Sequence, residues 1–115
     1  MTNTMKTISK LTASSGAGMI EVPVPSIKDD EILVKVLAAS ICGTDVHIYD
    51  YNPWAQSRIK IPQVMGHELA GQVIKLGKDV TTVKLGDIVS AETHIICGKC
   101  EFCLNGQGHI CQDTS

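Results

Sequence analysis

Four cysteines near the end of the chain constrain its fold most strongly. The spacing C-x2-C-x2-C-x7-C is formed by Cys97, Cys100, Cys103 and Cys111. Two intervening residues let neighbouring thiolates converge on one tetrahedral ion, and a glycine-rich return over residues 105–108 brings the fourth sulfur back. Four thiolates leave no open coordination position. The spacing therefore predicts a structural zinc site in a lobe over residues 97–111.

Two disulfides or an iron–sulfur cluster are the alternatives to this zinc site. The N-terminus lacks the apolar core of a signal peptide, so we expect a cytoplasmic protein, in which disulfides are disfavoured. Ferredoxins also use C-x2-C-x2-C, but their fourth cysteine follows sooner and precedes a proline. Here Gln112 follows the fourth cysteine.

Charge and composition narrow the classes of partner. The net charge is −2, and the basic residues are scattered without forming a stripe. Nucleic acid and anionic membranes are therefore not expected as partners. No apolar run approaches the length of a membrane span. Aromatic residues make up 3% of the 115 residues, so the core of this single domain must consist mainly of aliphatic side chains.

Short apolar segments separated by glycine-rich turns predict a mainly β fold, either a barrel or a sandwich. Residues 31–41 give the clearest strand signal, and their apolar residues on both faces predict burial on both sides. Gly71, within a predicted strand over residues 68–76, indicates a bulge or a close backbone approach. Thr44 is expected to cap a short helix to about Tyr49, and residues 50–62 are expected to form a loop.

Cys42, His67 and Glu68 form a second group of metal-ligand side chains. Cys42 and His67 each lie beside a glycine at the end of a predicted strand, so their side chains can meet at one rim. Sulfur and imidazole favour zinc, and three protein ligands leave one position open for catalysis. The alternatives are inert core residues, or a Cys42 thiolate nucleophile with a histidine base, which gives Glu68 no role.

Thr44 and His47 follow the first of these ligands closely. Thr44 lies two residues after Cys42 and can hydrogen-bond an oxygen at the metal. His47 lies one helical turn after Thr44 and can pass a proton outward. The pattern alone is equally compatible with a capping threonine and a surface histidine.

These residues resemble the medium-chain zinc alcohol dehydrogenases. The stretch Gly66-His67-Glu68-Leu69-Ala70-Gly71, followed by Gly77 and Val80, is similar to the family signature G-H-E-x2-G-x5-G-x2-V. The four-cysteine lobe and the turn over residues 86–89 are similar as well. The resemblance implies a GroES-like β-barrel with short helices. It also implies one catalytic zinc on Cys42, His67 and Glu68 and one structural zinc on the four cysteines, with Thr44 and His47 as the proton relay.

Within the family, residues 42–49, the loop around Trp54, residues 62–68 and residues 90–97 are most similar to the L-threonine 3-dehydrogenase branch. That similarity implies NAD-dependent oxidation of L-threonine to 2-amino-3-oxobutanoate through a zinc-bound alkoxide, in a homotetramer. We further expect His94 to line the substrate pocket, with a loop histidine facing water as the alternative.

The chain departs from the family in length. Members run to roughly 340 residues and carry a Rossmann domain for NAD and a further acidic residue at the zinc site, none of which occurs here. Residues 1–115 are therefore expected to form an incomplete catalytic domain that is inactive alone. Polyol or butanediol oxidation, a non-catalytic zinc-stabilised β module and iron–sulfur electron transfer remain alternatives.

Overall fold

The computed structural model describes residues 3–114. They contain six strands, three short helices and one 3₁₀ turn, joined by loops. The strands are β1 (Thr4–Lys10), β2 (Gly18–Pro23), β3 (Ile32–Ser40), β4 (Gln63–Val64), β5 (Glu68–Leu76) and β6 (Ile88–Ser90). The helices are α1 (Gly43–Asp50), α2 (Pro53–Arg58) and α3 (Glu101–Leu104), and the 3₁₀ turn covers Gly108–Ile110.

The strands form two antiparallel sheets of three strands each. Their orders are β2-β1-β4 and β3-β5-β6. The prediction of a mainly β chain with short helices is confirmed. None of the described helices is long and apolar enough to cross a membrane.

The region after β3 differs from the prediction in two respects. The N-cap of α1 is Cys42, so Thr44 lies inside the first turn, and its expected role as the cap is wrong. The expected loop over residues 50–62 contains α2. Asn52 caps this helix by accepting a hydrogen bond from the backbone N–H of Ala55 at 3.1 Å, and Pro53 occupies the first helical position. This is the usual signal for a helix start.

The ladder between β3 and β5 is the longest pairing in the second sheet. It runs from Ile32 opposite Leu76 to Ser40 opposite Glu68, with two register shifts. Gly71 lies at a close approach of the two strands, because a Cβ atom added there would lie 2.5 Å from the carbonyl oxygen of Lys35. The expected close backbone approach at Gly71 is therefore present.

Replacing Gly71 with alanine is expected to destabilise the chain by about 2 kcal/mol, because the added methyl group overlaps a backbone atom that cannot move without distorting the ladder. Gly43→Ala is the matched control, since a Cβ atom at Gly43 would have no neighbour within 4 Å. Thermal unfolding of the two variants measures the difference. Equal melting temperatures would contradict this account of the ladder.

The expectation that residues 31–41 are buried on both sides is wrong for the described chain. Val36 and Leu37, adjacent residues of β3, are 54% and 59% exposed. No other described residue covers either of these side chains fully. The chain is accordingly flat, with extents of 42 × 41 × 21 Å. Its radius of gyration is 16.1 Å, against about 13 Å for a compact domain of this length.

One buried lysine connects the first sheet to α1. Lys10, at the end of β1, is fully buried, and its ammonium group donates hydrogen bonds to the carbonyl oxygens of Ser14, Gly16 and Tyr49. Its Nζ atom also lies 5.3 Å from the centre of the Tyr51 ring. Because Tyr49 is in the last turn of α1, the cation lies at the negative end of the helix dipole.

Candidate metal centres

Cys42, His67 and Glu68 come together at one end of the second sheet. One ligand atom from each lies within 4.8 Å of the others. The β3–β5 pairing explains this, because Ser40 at the end of β3 lies opposite Glu68 at the start of β5. Cys42 follows two residues after Ser40, and His67 directly precedes Glu68. All three ligand residues are half-buried.

Two hydrogen bonds hold this cluster in place. The hydroxyl group of Ser40 donates to Oε2 of Glu68 at 2.5 Å. The backbone N–H of Cys42 donates to Oδ2 of Asp45 at 2.9 Å. Each bond restrains one ligand residue at the end of its strand or helix, so the cluster is organised by the chain itself.

Asp45 provides a test of whether the cluster suits a metal ion. Its other oxygen, Oδ1, is buried, lacks a hydrogen-bond partner among the described residues and lies 3.8 Å from Nδ1 of His67. A histidine that binds a metal with one nitrogen usually points its other nitrogen at a carboxylate. Sulfur, imidazole and carboxylate together are a zinc ligand set. The donor set and the unpaired oxygen therefore both fit zinc.

Asp45 was not identified from the sequence. A usable signal existed, because an acidic residue three positions after a helix N-cap is the spacing of a capping box.

Beside the cluster, an open groove of about 450 Å³ borders Ser40 and Glu68 between the strands of the second sheet.

The two proposed relay residues lie on the helix that begins at Cys42. Thr44 is half-buried in the first turn of α1, and His47 is exposed one turn later. Nδ1 of His47 lies 2.7 Å from Nδ2 of Asn52, and its ring centre is 6.0 Å from that of Trp54. The structure thus puts both residues on the same helix as one ligand. Their role in proton transfer stays a prediction.

The four cysteines of the lobe also converge. Their sulfurs all lie within 4.8 Å of one another, and the Cys97–Cys103 and Cys100–Cys111 separations are both 3.9 Å. All four are free thiols, which excludes the disulfide alternative in this structure. Around one zinc ion with bonds of about 2.3 Å, tetrahedral sulfurs lie about 3.8 Å apart. In a four-iron cluster each thiolate binds a different iron, which spreads the sulfurs further. The spacing fits a single ion.

The surroundings shift the pKa values of three of these thiols in different directions. Backbone N–H groups of Lys99 and Cys100 lower the pKa of Cys97, and those of Gln112 and Cys103 lower the pKa of Cys100 to about 6. Burial raises the pKa of Cys103 to about 12. A bound cation would compensate this unfavourable ionisation, because metal binding displaces the thiol protons.

His94 lies outside both clusters. It is in the segment between β6 and the lobe, and its side chain is 52% exposed. Its Nδ1 atom lies 2.7 Å from Oε1 of Glu92, and this contact lowers the pKa of Glu92. No described contact joins His94 to Cys42, His67 or Glu68. A substrate-lining role for His94 stays a prediction.

Comparison with known proteins identifies the family. Residues 28–115 match the family model described as the alcohol dehydrogenase GroES-like domain. The chain belongs to this family. The resemblance drawn from the zinc signature and the cysteine lobe is thus confirmed, and so is the GroES-like class of fold.

Curated members of the family are similar over nearly the whole chain. The L-threonine 3-dehydrogenase of Bacillus velezensis is 58% identical over 110 residues, which is 96% of this chain and 32% of that protein. The L-threonine 3-dehydrogenase of Pyrococcus horikoshii is 55% identical over 114 residues, which is 99% of this chain and 33% of that protein. The chain therefore spans about a third of the length of these relatives.

Solved structures of family members share the fold. A zinc-dependent alcohol dehydrogenase of Streptococcus pneumonia has a TM-score of 0.80 and 30% identity, covering 95% of this chain and 30% of that one. An alcohol dehydrogenase of Escherichia coli CFT073, complexed with NADH, has a TM-score of 0.81 and 31% identity, covering 99% and 32%. Zinc and a nicotinamide cofactor are thus both named for structural neighbours of this chain.

Proposed function

We propose that this chain supplies the zinc-binding part of the active site of an NAD-dependent L-threonine 3-dehydrogenase. The observation that carries the proposal is the convergence of Cys42, His67 and Glu68 in a chain at least 53% identical to proteins with that activity in their name. Dehydrogenase activity would also account for both groups of ligand side chains, one catalytic and one structural.

The three ligand residues would hold the catalytic ion at the end of the β3–β5 ladder. Zinc, when bound, supplies a Lewis acid that makes a hydroxyl group more acidic. Asp45 would orient the imidazole of His67, and Ser40 would orient the carboxylate of Glu68. The four cysteines would hold a second, structural ion that fixes the lobe.

Thr44 and His47 would carry the proton away from the 3-hydroxyl group of threonine. The hydroxyl group of Thr44 can accept a hydrogen bond from the substrate and donate one onward. His47 lies one helical turn further along α1 and is exposed, so it can release the proton to water. No residue of this chain is assigned to NAD, and His94 is retained as a substrate-lining candidate.

The test is an assay of a longer protein that carries this chain together with a nicotinamide-binding domain. Formation of NADH from NAD is expected with L-threonine and expected to be at least tenfold slower with sorbitol or 2,3-butanediol. His67→Ala is expected to abolish turnover with all three substrates. Preference for sorbitol or 2,3-butanediol would assign the chain to another dehydrogenase. Full activity of His67→Ala would refute the metal site.

The chain of residues 1–115 alone is expected to be inactive, because hydride transfer requires a nicotinamide held against the reacting carbon. NADH formation by the purified chain with L-threonine and zinc would contradict this expectation. Homotetramer formation by the longer protein and a cytoplasmic location are part of the same proposal. Size measurement in solution and cell fractionation would test them.

A further inference from the structure

We propose that Asn52 is a positioning residue that holds His47 as the neutral tautomer with its proton on Nε2. The inference deepens the proposed function, because it rests on His47 acting as the proton relay. It concerns which nitrogen of the imidazole carries the proton, a property that no motif of the family signature specifies.

The orientation of the Asn52 side chain is determined by its second contact. Its amide oxygen accepts the backbone N–H of Ala55 at 3.1 Å, as the N-cap of α2. Only the oxygen of an amide group can accept this bond. The atom that faces Nδ1 of His47 at 2.7 Å is therefore the amide nitrogen, which is a donor. The cap thus removes the usual ambiguity between the two amide atoms.

A donor opposite Nδ1 determines the tautomer of the ring. The amide N–H of Asn52 can bond only to an unprotonated Nδ1, so the neutral imidazole must carry its proton on Nε2. A fully protonated ring would present N–H to N–H at this contact and lose the bond. In a relay the ring must therefore accept its second proton at Nδ1, where the bond to Asn52 breaks, and release the original proton from Nε2. In histidine the hydrogen bond made by one ring nitrogen usually sets which nitrogen carries the proton.

The backbone holds the two side chains together. Tyr51, the C-cap of α1, adopts a left-handed conformation with φ of 52°, which turns the chain back toward the helix. The backbone N–H of Asn52 then donates to the carbonyl oxygen of His47 at 3.4 Å. The ring of Trp54 lies beside the imidazole of His47 and restricts its rotation, with the two ring planes inclined at 52°. The contact to Nδ1 is thus supported at three points.

Two substitutions separate positioning from helix capping. Asn52→Asp keeps an oxygen for the cap but replaces the donor with an acceptor, so His47 is expected to switch to the tautomer with its proton on Nδ1. Asn52→Ser also keeps a capping oxygen, but its shorter side chain does not reach the ring, so a mixture of tautomers is expected. Gln56→Ala is the matched control, because Gln56 donates to the carbonyl oxygen of Tyr51 in the same segment without touching His47.

Nitrogen-15 NMR of histidine-labelled, zinc-loaded longer protein reports the tautomer of His47 directly. The unmodified protein and Gln56→Ala are expected to show protonated Nε2, and Asn52→Asp protonated Nδ1. An Nδ1–H tautomer in the unmodified protein, or the same tautomer in all variants, would overturn the inference. Because the NMR readout needs no substrate, it stands apart from the threonine assay.

Discussion

Replacing Cys100 with serine is expected to remove one zinc ion per chain and to unfold the lobe of residues 97–111. Structural zinc contributes about 10 kcal/mol or more of binding free energy, which in such sites is also folding energy. Beyond the metal ligands, the lobe contains one turn of α3 and one 3₁₀ turn, and Cys111 is its buried residue. Metal analysis and amide hydrogen exchange over residues 97–114 would measure the two effects.

Cys42→Ser is the matched control for this experiment. It is expected to remove the other zinc ion while leaving hydrogen exchange in the lobe unchanged, because the two clusters share no ligand. Retention of two zinc ions and full protection of the lobe in Cys100→Ser would refute the structural assignment. Iron in place of zinc in the purified chain would do the same.

Replacing Lys10 with methionine is expected to destabilise the chain by about 3 kcal/mol, because three carbonyl groups lose their donor at a buried position. Methionine preserves most of the side-chain volume, so the loss isolates the hydrogen bonds. Chemical denaturation of the zinc-loaded chain measures the change. Lys6→Met, at an exposed position of the same strand, is the control and is expected to change stability by less than about 0.5 kcal/mol.

If Lys10→Met unfolded at the same denaturant concentration as Lys6→Met, the contacts of the Lys10 ammonium group would contribute nothing. A loss confined to α1 and residues 14–16, seen as faster hydrogen exchange there, would agree with the role of Lys10 as the link between β1 and that helix. The same measurement would show whether the order of the backbone around Cys42, at the start of α1, depends on the contact of Lys10 at the other end of that helix.

The sequence predicted those parts of the chain in which local chemistry decides the outcome. The strand over residues 68–76 was placed with the observed bounds, because its apolar run lies between a glycine and a turn. The cysteine spacing predicted the lobe for a similar reason, since four sulfurs within 15 residues have few ways to converge. The grouping of Cys42 with His67 was also anticipated, from glycines at two strand ends.

Features that depend on distant partners were not predictable in this way. The role of Lys10 requires knowing that the last turn of α1 lies beside β1, a contact between residues 39 positions apart. Val36 and Leu37 are exposed although the sequence predicts burial, because an apolar pattern indicates what a strand can bury and not which residues are present to cover it. Asn52 lies in the predicted loop over residues 50–62, but it caps a helix whose first residue is Pro53.

The pairing of Ser40 with Glu68 has a consequence for how this protein can vary. The two halves of the ligand cluster are joined by a hydrogen-bonded ladder, while the residues between them in sequence leave the sheet and return. Within this excursion, residues 59–62 between α2 and β4 belong neither to the cluster nor to its hydrogen-bond partners, so they can change without moving the sulfur relative to the imidazole. A single-residue insertion within β5 would instead turn Glu68 to the opposite face. Sequence variation is thus expected in residues 59–62 and not in the ladder.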